Sequence, residues 1–415
     1  MFSGNNRVLF VVNLMFFQVG LLMSVMSVII PEVINTFEVS YGMASVLPFS
    51  FYIALASFSV PAGIAGAHFS AKRILLVTFA FALCGVLTFV AFLSFWSSAL
   101  SVFIMGSAVA VIQVTAAPLV RRACGPERFA FHSTLNQLMY GLGAFLSPVI
   151  YSALIDFAKS AEGSEGLLRR TMAAVVPGGF EWVSAYWLFA VIIAVFIGLL
   201  SWVKFPEHRV SKDTITQGES YFGLLRRRHV IIFFLALLAY ASCEQGIAAW
   251  LTKFFEDHHG VDPQREGAMI LSYYWLLLTA GCSVGLVLLK FFPSRLVLMM
   301  LTVLAIVFFL IGLLSSARVA MWAFPLVAAC ESVMWPVILS LALNSVKQDH
   351  EKLSGLMYTA SLGGAIGPVV VGFFGDQFGL QWSLGLLLVP FLFVLIVSIW
   401  ARGVTETKDQ EAVAV

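Results

Sequence analysis

The chain has 415 residues, 60% of them hydrophobic and only 11% charged, with a net charge of +2. A soluble domain carries about 25% charged residues, so an ordinary water-soluble body is excluded and a membrane body is expected. The five cysteines, Cys84, Cys124, Cys243, Cys282 and Cys330, lie in or beside apolar runs and form no CxxC pair, so neither a disulfide framework nor a metal site is expected.

The first apolar segment, 8–30, is longer than a signal-peptide core of about 7–15 residues. Pro31 and Glu32 follow it where a cleavage site would need small residues. It reads as a retained transmembrane helix. A span needs about 20 mostly apolar residues, and eleven more runs qualify: 42–65, 74–94, 98–120, 129–152, 183–203, 229–251, 267–290, 294–315, 318–343, 353–374 and 380–401. The runs are continuously apolar. A barrel would instead show segments of about ten residues with alternating polarity. The expected fold is therefore an all-α membrane protein of twelve transmembrane helices.

A polar stretch between spans 5 and 6, from Asp156 to Glu181, reads as an extended loop. The linker 204–228, with Arg226-Arg227-Arg228 at its end, is the long polar break between spans 6 and 7. It divides the chain into an amino-terminal bundle (1–203), a carboxy-terminal bundle (229–403) and a short polar tail (404–415). With the amino terminus inside, 18 of the 24 Lys and Arg fall in inner loops, Lys72, Arg73, Arg121 and Arg122 among them. The excess of positive charge places both termini in the cytoplasm, as expected for a multi-pass protein of the inner (cytoplasmic) membrane.

The two halves resemble each other. Pro118 and Leu138-Met139-Tyr140 in the first half answer to Pro336 and Leu356-Met357-Tyr358 in the second, both at an offset of 218 residues. The later pair, Pro148 and Pro368, is offset by 220. Parallel six-helix repeats with a site at their interface are the architecture of major facilitator transporters. Two pseudo-symmetric six-helix bundles are expected.

Glu331 stands near the middle of the apolar run 321–343. An ionised side chain there costs at least about 2.5–3.5 kcal/mol on insertion scales, so such a residue marks a functional site by default. The alternative is a protonated acid that joins two helices. Shifting Glu331 back by 218 gives Gln113, and both stand five residues before a proline. Glu244 is the second such acid, with Gln245, Gly246 and Trp250 following it. A carboxylate, an amide and an indole can bind hydroxyls and stack on a sugar face; the same residues can also glue helices together. Asn13, Gln18, Asn136 and Gln137 add amides at membrane depth, and amides pair donor with acceptor. Tyr273, Tyr274, Trp275 and Trp335 are candidate stacking walls. The expected binding set is Gln113, Gln137, Glu244, Gln245, Trp250, Trp275 and Trp335, with Glu331 and Glu244 as proton-coupling residues.

Several stretches resemble the fucose–proton symporter family of the major facilitator superfamily. They are Phe49-Ser50-Phe51-Tyr52 with Pro61-Ala62-Gly63, Thr115-Ala116-Ala117-Pro118 with Gly125-Pro126-Glu127, Cys243-Glu244-Gln245-Gly246 to Trp250-Leu251, and the run from Trp335 to Leu343 with Ser354-Gly355 and Gly363-Gly364. The resemblance implies proton-driven sugar uptake by alternating access. Gln137 matches a family glutamine and Glu244 an acidic position common in the family. Two departures matter. Ser27 or Val28 stands where the family's fucose carrier has an aspartate on span 1, and Gln113 where it has a glutamate on span 4. Glutamine does not exchange protons, so the pairing of Gln113 with Glu331 suggests that the coupling acid has moved to the other half.

The expected function is secondary transport of a small polar solute, with sugar the best class, energised by a proton or sodium gradient or by none. An exporter of an amphipathic compound is the alternative transporter, suggested by the 38 phenylalanines. A non-transporting nutrient sensor is the alternative from another class. No enzyme activity, cofactor, metal or nucleic-acid partner is expected. The expected partners are the solute and the lipid bilayer, and the expected state is monomeric.

Overall fold

The computed structural model describes residues 4–124, 126–159, 175–203, 205, 221–346, 353 and 356–413. The linker expected at 204–228 and the loop after span 5 lie largely outside the described residues. Among those described, twelve helices are long and apolar enough to cross a membrane. In the first half they are α1 (Gly4–Phe37), α2 (Val46–His68), α3 (Ala71–Ala91), α4 (Phe95–Cys124), α5 (Pro126–Lys159) and α6 (Ser184–Trp202). In the second half α7 is Arg228–His259, α8 is Ala268–Phe291 and α9 is Ser294–Leu314. The tenth span, α10, is two helices, Ala317–Glu331 and Met334–Asn344. A 3₁₀ turn, Thr359–Leu362, leads into α11, Gly363–Phe378. The last span, α12, is built from Leu380–Gly385 and Leu388–Val413. The chain is a multi-pass, all-α membrane protein with the twelve spans expected, in two pseudo-symmetric bundles of six.

Two boundaries move outward from the expected ones. α1 continues through Pro31 to Phe37, and α7 continues past residue 251 to His259. Gly260, at φ +66°, ends α7, and Gly379, at φ +80°, ends α11; this left-handed conformation is open to glycine at little cost. Phe81, Val195, Leu286 and Ile396 are exposed on helix faces, which suits contact with hydrocarbon.

Two compact units divide the molecule. The first draws its described residues from Met1–Ser211 and Ala249–Ser272, the second from Lys212–Ala248 and Tyr273–Val415. Residues 249–272, the end of α7 and the start of α8, therefore belong with the first six helices. Their polar groups show why. Thr252 donates to the Ser27 carbonyl at 2.9 Å, and Tyr41 donates its hydroxyl to Asp257 at 2.6 Å. Gln264 bonds Glu32, and Arg265 reaches Asp156 at 3.2 Å. Lys253, two residues past the expected end of span 7, is a buried helical residue that pairs with Glu256 at 3.0 Å and Asp257 at 2.9 Å.

Small residues allow the backbones within each unit to approach. A Cβ on Gly143 of α5 would run into the Phe17 carbonyl of α1, and one on Gly20 into that of Tyr140. In the second unit a Cβ on Gly363 of α11 would run into the Leu238 carbonyl of α7. Gly143 and Gly363 are 220 residues apart, and Phe17 and Leu238 are 221 apart. The repeat seen in sequence thus recurs as the same close helix contact. Close approach at small residues is how membrane helices gain packing energy where lipid offers no hydrophobic drive.

Candidate functional site

The second unit gathers Glu244 and Glu331, the two carboxylates that stand out within apolar runs of the sequence. Glu244 lies on α7 one turn after Tyr240, and helical spacing puts residues i and i+4 on one face. The Tyr240 hydroxyl donates to Glu244 Oε2, and Gln245 donates from Nε2 to Oε1 at 2.7 Å. Both oxygens of Glu244 therefore have partners.

Glu331 is fully buried and is the last residue of the first helix of α10. Pro336 explains the break that follows. It has no N–H for the Ser332 carbonyl four residues earlier, and its ring crowds that carbonyl. The ladder lapses at Ser332–Val333 and resumes at Met334. The freed Ser332 carbonyl accepts from Cys282 Sγ of α8 at 3.5 Å, and Ser332 Oγ donates to the Ala329 carbonyl at 2.7 Å. α8 presses against this break through Gly281 and Gly285, whose added Cβ atoms would collide with Ala329 and Val333.

Among the described residues the carboxylate of Glu331 has one hydrogen-bond partner. Tyr274 of α8 donates its hydroxyl to Oε2 at 2.7 Å. The same hydroxyl lies 3.3 Å from the Glu244 carbonyl on α7. Oε1 has no hydrogen-bond partner among the described residues, and the buried indole Nε1 of Trp275 has none either. No ion pair reaches either carboxylate among the described residues. Trp335 is half-buried between two tyrosines, its ring 6.0 Å from Tyr240 and 5.8 Å from Tyr358. The second unit thus holds Glu244, Gln245, Glu331, Trp275 and Trp335 with Tyr240, Tyr274 and Tyr358.

The other expected site residues lie in the first unit. Gln113 is half-buried on α4, and Gln137 is exposed on α5. Trp250 is fully buried and meets the Tyr41 ring edge-on at 5.7 Å. Asn13 and Gln18 on α1 each carry a buried side-chain oxygen with no partner among the described residues. Asn136 is buried, as are Ser27 and Val28. In the second unit Tyr273, a candidate wall, stacks instead on the exposed Trp322 at 5.6 Å.

Three aromatic residues gain roles that the sequence reading did not assign. Tyr240 was legible from its spacing to Glu244. Tyr274 was not, because its partner is 57 residues away on another helix. Tyr358 stood in the repeated Leu-Met-Tyr triplet, but its contact with Trp335 comes from the packing of α10 against the segment before α11.

Known proteins resemble this chain along most of its length. A glucose/galactose transporter of Brucella abortus biovar 1 (strain 9-941) is 24% identical over 394 residues, 92% of this chain and 91% of that protein. The L-fucose-proton symporter of Escherichia coli (strain K12) is 23% identical over 407 residues, 92% of this chain and 89% of that one. A solved bacterial homologue of the human lysosomal transporter Spinster superposes with a TM-score of 0.80 at 14% identity, covering 98% of each chain. The family model of the Major Facilitator Superfamily matches residues 12–361. With most of its length matched, the chain belongs to the Major Facilitator Superfamily.

Proposed function

We propose that this protein is a sugar transporter that carries a hexose across the cytoplasmic membrane by alternating access, with Glu331 as its proton-coupling acid. The observation that carries the reading is the state of Glu331. It is fully buried in an apolar span, one oxygen is held by Tyr274, and the other has no partner among the described residues. A group that exchanges protons suits this place, and Gln113, its counterpart in the first half, does not exchange them.

The names of the relatives support a hexose. The chemistry of the site agrees. Glu331 Oε1 offers an acceptor and Trp275 Nε1 a donor, which are the two functions a sugar hydroxyl needs. Glu244 and Gln245 supply a further carboxylate and amide, and Trp335 a stacking face. In the first unit, Gln113, Gln137 and Trp250 are proposed as binding residues in their own right. Both termini lie in the cytoplasm, and the chain works as a monomer in the bilayer through its halves 1–203 and 229–403.

The test is uptake of labelled glucose, galactose and fucose into proteoliposomes, with and without an inward proton gradient, for wild type and Glu331→Gln. The gradient should drive accumulation of one of the three sugars. The variant should lose accumulation at least tenfold and keep sugar exchange. Accumulation unchanged in the variant removes Glu331 from coupling. No uptake of any of the three removes the hexose.

A further inference from the structure

The Tyr274 hydroxyl has two acceptors and one proton. Glu331 Oε2 lies at 2.7 Å on α10, and the Glu244 carbonyl at 3.3 Å on α7. A phenol donates one hydrogen bond at a time. The ring itself is fixed, since Tyr274 is fully buried and its neighbour Trp275 meets it edge-on at 5.7 Å. Only the hydroxyl hydrogen is free to choose.

We infer that Tyr274 is a hydroxyl relay that passes the protonation state of Glu331 to the backbone of α7 at Glu244. When Glu331 is ionised, its charge attracts the phenol hydrogen, because a bond to an ionised acceptor is about twice as strong as a neutral one. When Glu331 takes up a proton, the carboxylic acid donates to the phenol oxygen, and the phenol hydrogen turns to the Glu244 carbonyl. The phenol keeps its own proton throughout. The one proton gained or lost is that of Glu331, so the step balances.

Both ends of this relay are tied to further groups of the second unit. On one side Glu331 is the last helical residue before the break in α10. Trp335 lies just beyond the break, and its ring contacts Tyr240. On the other side Glu244 holds Tyr240 and Gln245 through its carboxylate. A change in the bond to the Glu244 carbonyl therefore reaches the same tyrosine from α7 that Trp335 reaches from α10. Among the described residues, the titratable groups within electrostatic reach of Glu331 are Glu244, Tyr240 and Cys243 on α7, Tyr274 on α8, and Cys330 on α10 itself. Cys282 on α8 lies within reach of Glu244 and Tyr240. None of these brings a positive charge that could replace the phenol as the partner of an ionised Glu331.

The inference rests on the reading of Glu331 as the acid that exchanges protons, and one experiment separates the two. Infrared difference spectra between acid and alkaline pH would be taken on the full-length protein in lipid vesicles, for wild type, Glu331→Gln and Tyr274→Phe, with no sugar present. Wild type should show a carboxylic-acid band that Glu331→Gln removes, together with a tyrosine band lost in both variants. Tyr274→Phe should keep the acid band at a shifted frequency. An acid band that Glu331→Gln removes, with no tyrosine band beside it or with one that survives in Tyr274→Phe, overturns the relay and leaves the coupling acid standing. If Glu331→Gln changes no band at all, the coupling reading itself falls. Because the wild-type spectrum alone can show the missing tyrosine band, the test does not depend on a variant that folds.

Discussion

A carboxylate inside an apolar span must be compensated locally, and the two in the second unit are compensated differently. Glu244 has a phenol on one oxygen and an amide on the other. Its replacement by Ala leaves Tyr240 and Gln245 without their acceptor, at about 1–3 kcal/mol per buried orphan. Glu244→Ala should therefore lower the melting temperature in detergent and raise the KM for sugar together. Glu331 has one oxygen bonded and the other without a partner among the described residues, so Glu331→Gln should leave the melting temperature within a few degrees of wild type and strike coupling instead. Lys253 sets a third case. It is buried beside Glu256 and Asp257, and Asp257 also takes the Tyr41 hydroxyl. Removing one partner of a fully buried pair costs about 3–5 kcal/mol. Glu256 remains as a second partner and Asp257 is partly exposed, so Asp257→Asn should cost about 1 kcal/mol, read as a small drop in thermal stability.

The break in α10 is the element against which α8 packs in the second unit. Pro336 removes the N–H that would hold the Ser332 carbonyl, and α8 answers with a cysteine thiol and two glycines. Pro336→Ala returns the missing donor and should extend the helix through Ser332 and Val333. The expected outcome is a protein at least as stable as wild type with slower transport, measured by melting temperature and initial uptake rate. Gly285 seats Val333 with no room for a side chain. Overpacking a tight contact costs about 1–3 kcal/mol. Gly285→Leu should pay that in stability and displace Trp335, and a melt together with tryptophan emission would register both. The corresponding run of α4 passes unbroken from Phe95 to Cys124, although Pro118 stands where Pro336 stands in the repeat. The same proline is absorbed in one half and breaks the helix in the other, beside the half's intramembrane acid.

Over the full chain, the charge pattern and the repeat make separate statements. The excess of Lys and Arg on one set of loops predicts that both termini face the cytoplasm. A fluorescent protein fused after Val415 should therefore mature and glow, while alkaline phosphatase fused there should stay inactive. The opposite result would invert the orientation. The two compact units do not follow the chain order of the halves, because 249–272 groups with the first six helices. The polar contacts of Thr252, Asp257, Gln264 and Arg265 hold that segment there.

How much of this was legible depends on the range of the interaction involved. Twelve spans, and helices rather than strands, follow from local composition, since a bilayer demands about 20 apolar residues per helix wherever it is crossed, and the six-plus-six repeat follows from the central linker and the matches 218 residues apart. Glu331 and Glu244 were legible as candidates for the same reason: a charge in an apolar run stands out without any knowledge of its neighbours. Tyr240 could have been added from its i, i+4 spacing. The role of Tyr274, the partnerless oxygen of Glu331 and the seat of Gly281 and Gly285 on the α10 break were not legible. Each is a contact between helices, set by how the chain packs rather than by what surrounds the residue in sequence. The spans and the positions of the acids were thus decided by the composition of the chain. Which hydroxyl each acid meets, and whether a proline bends its helix or breaks it, was decided by packing, because hydrogen bonds act over about 3 Å and sequence carries no such distances.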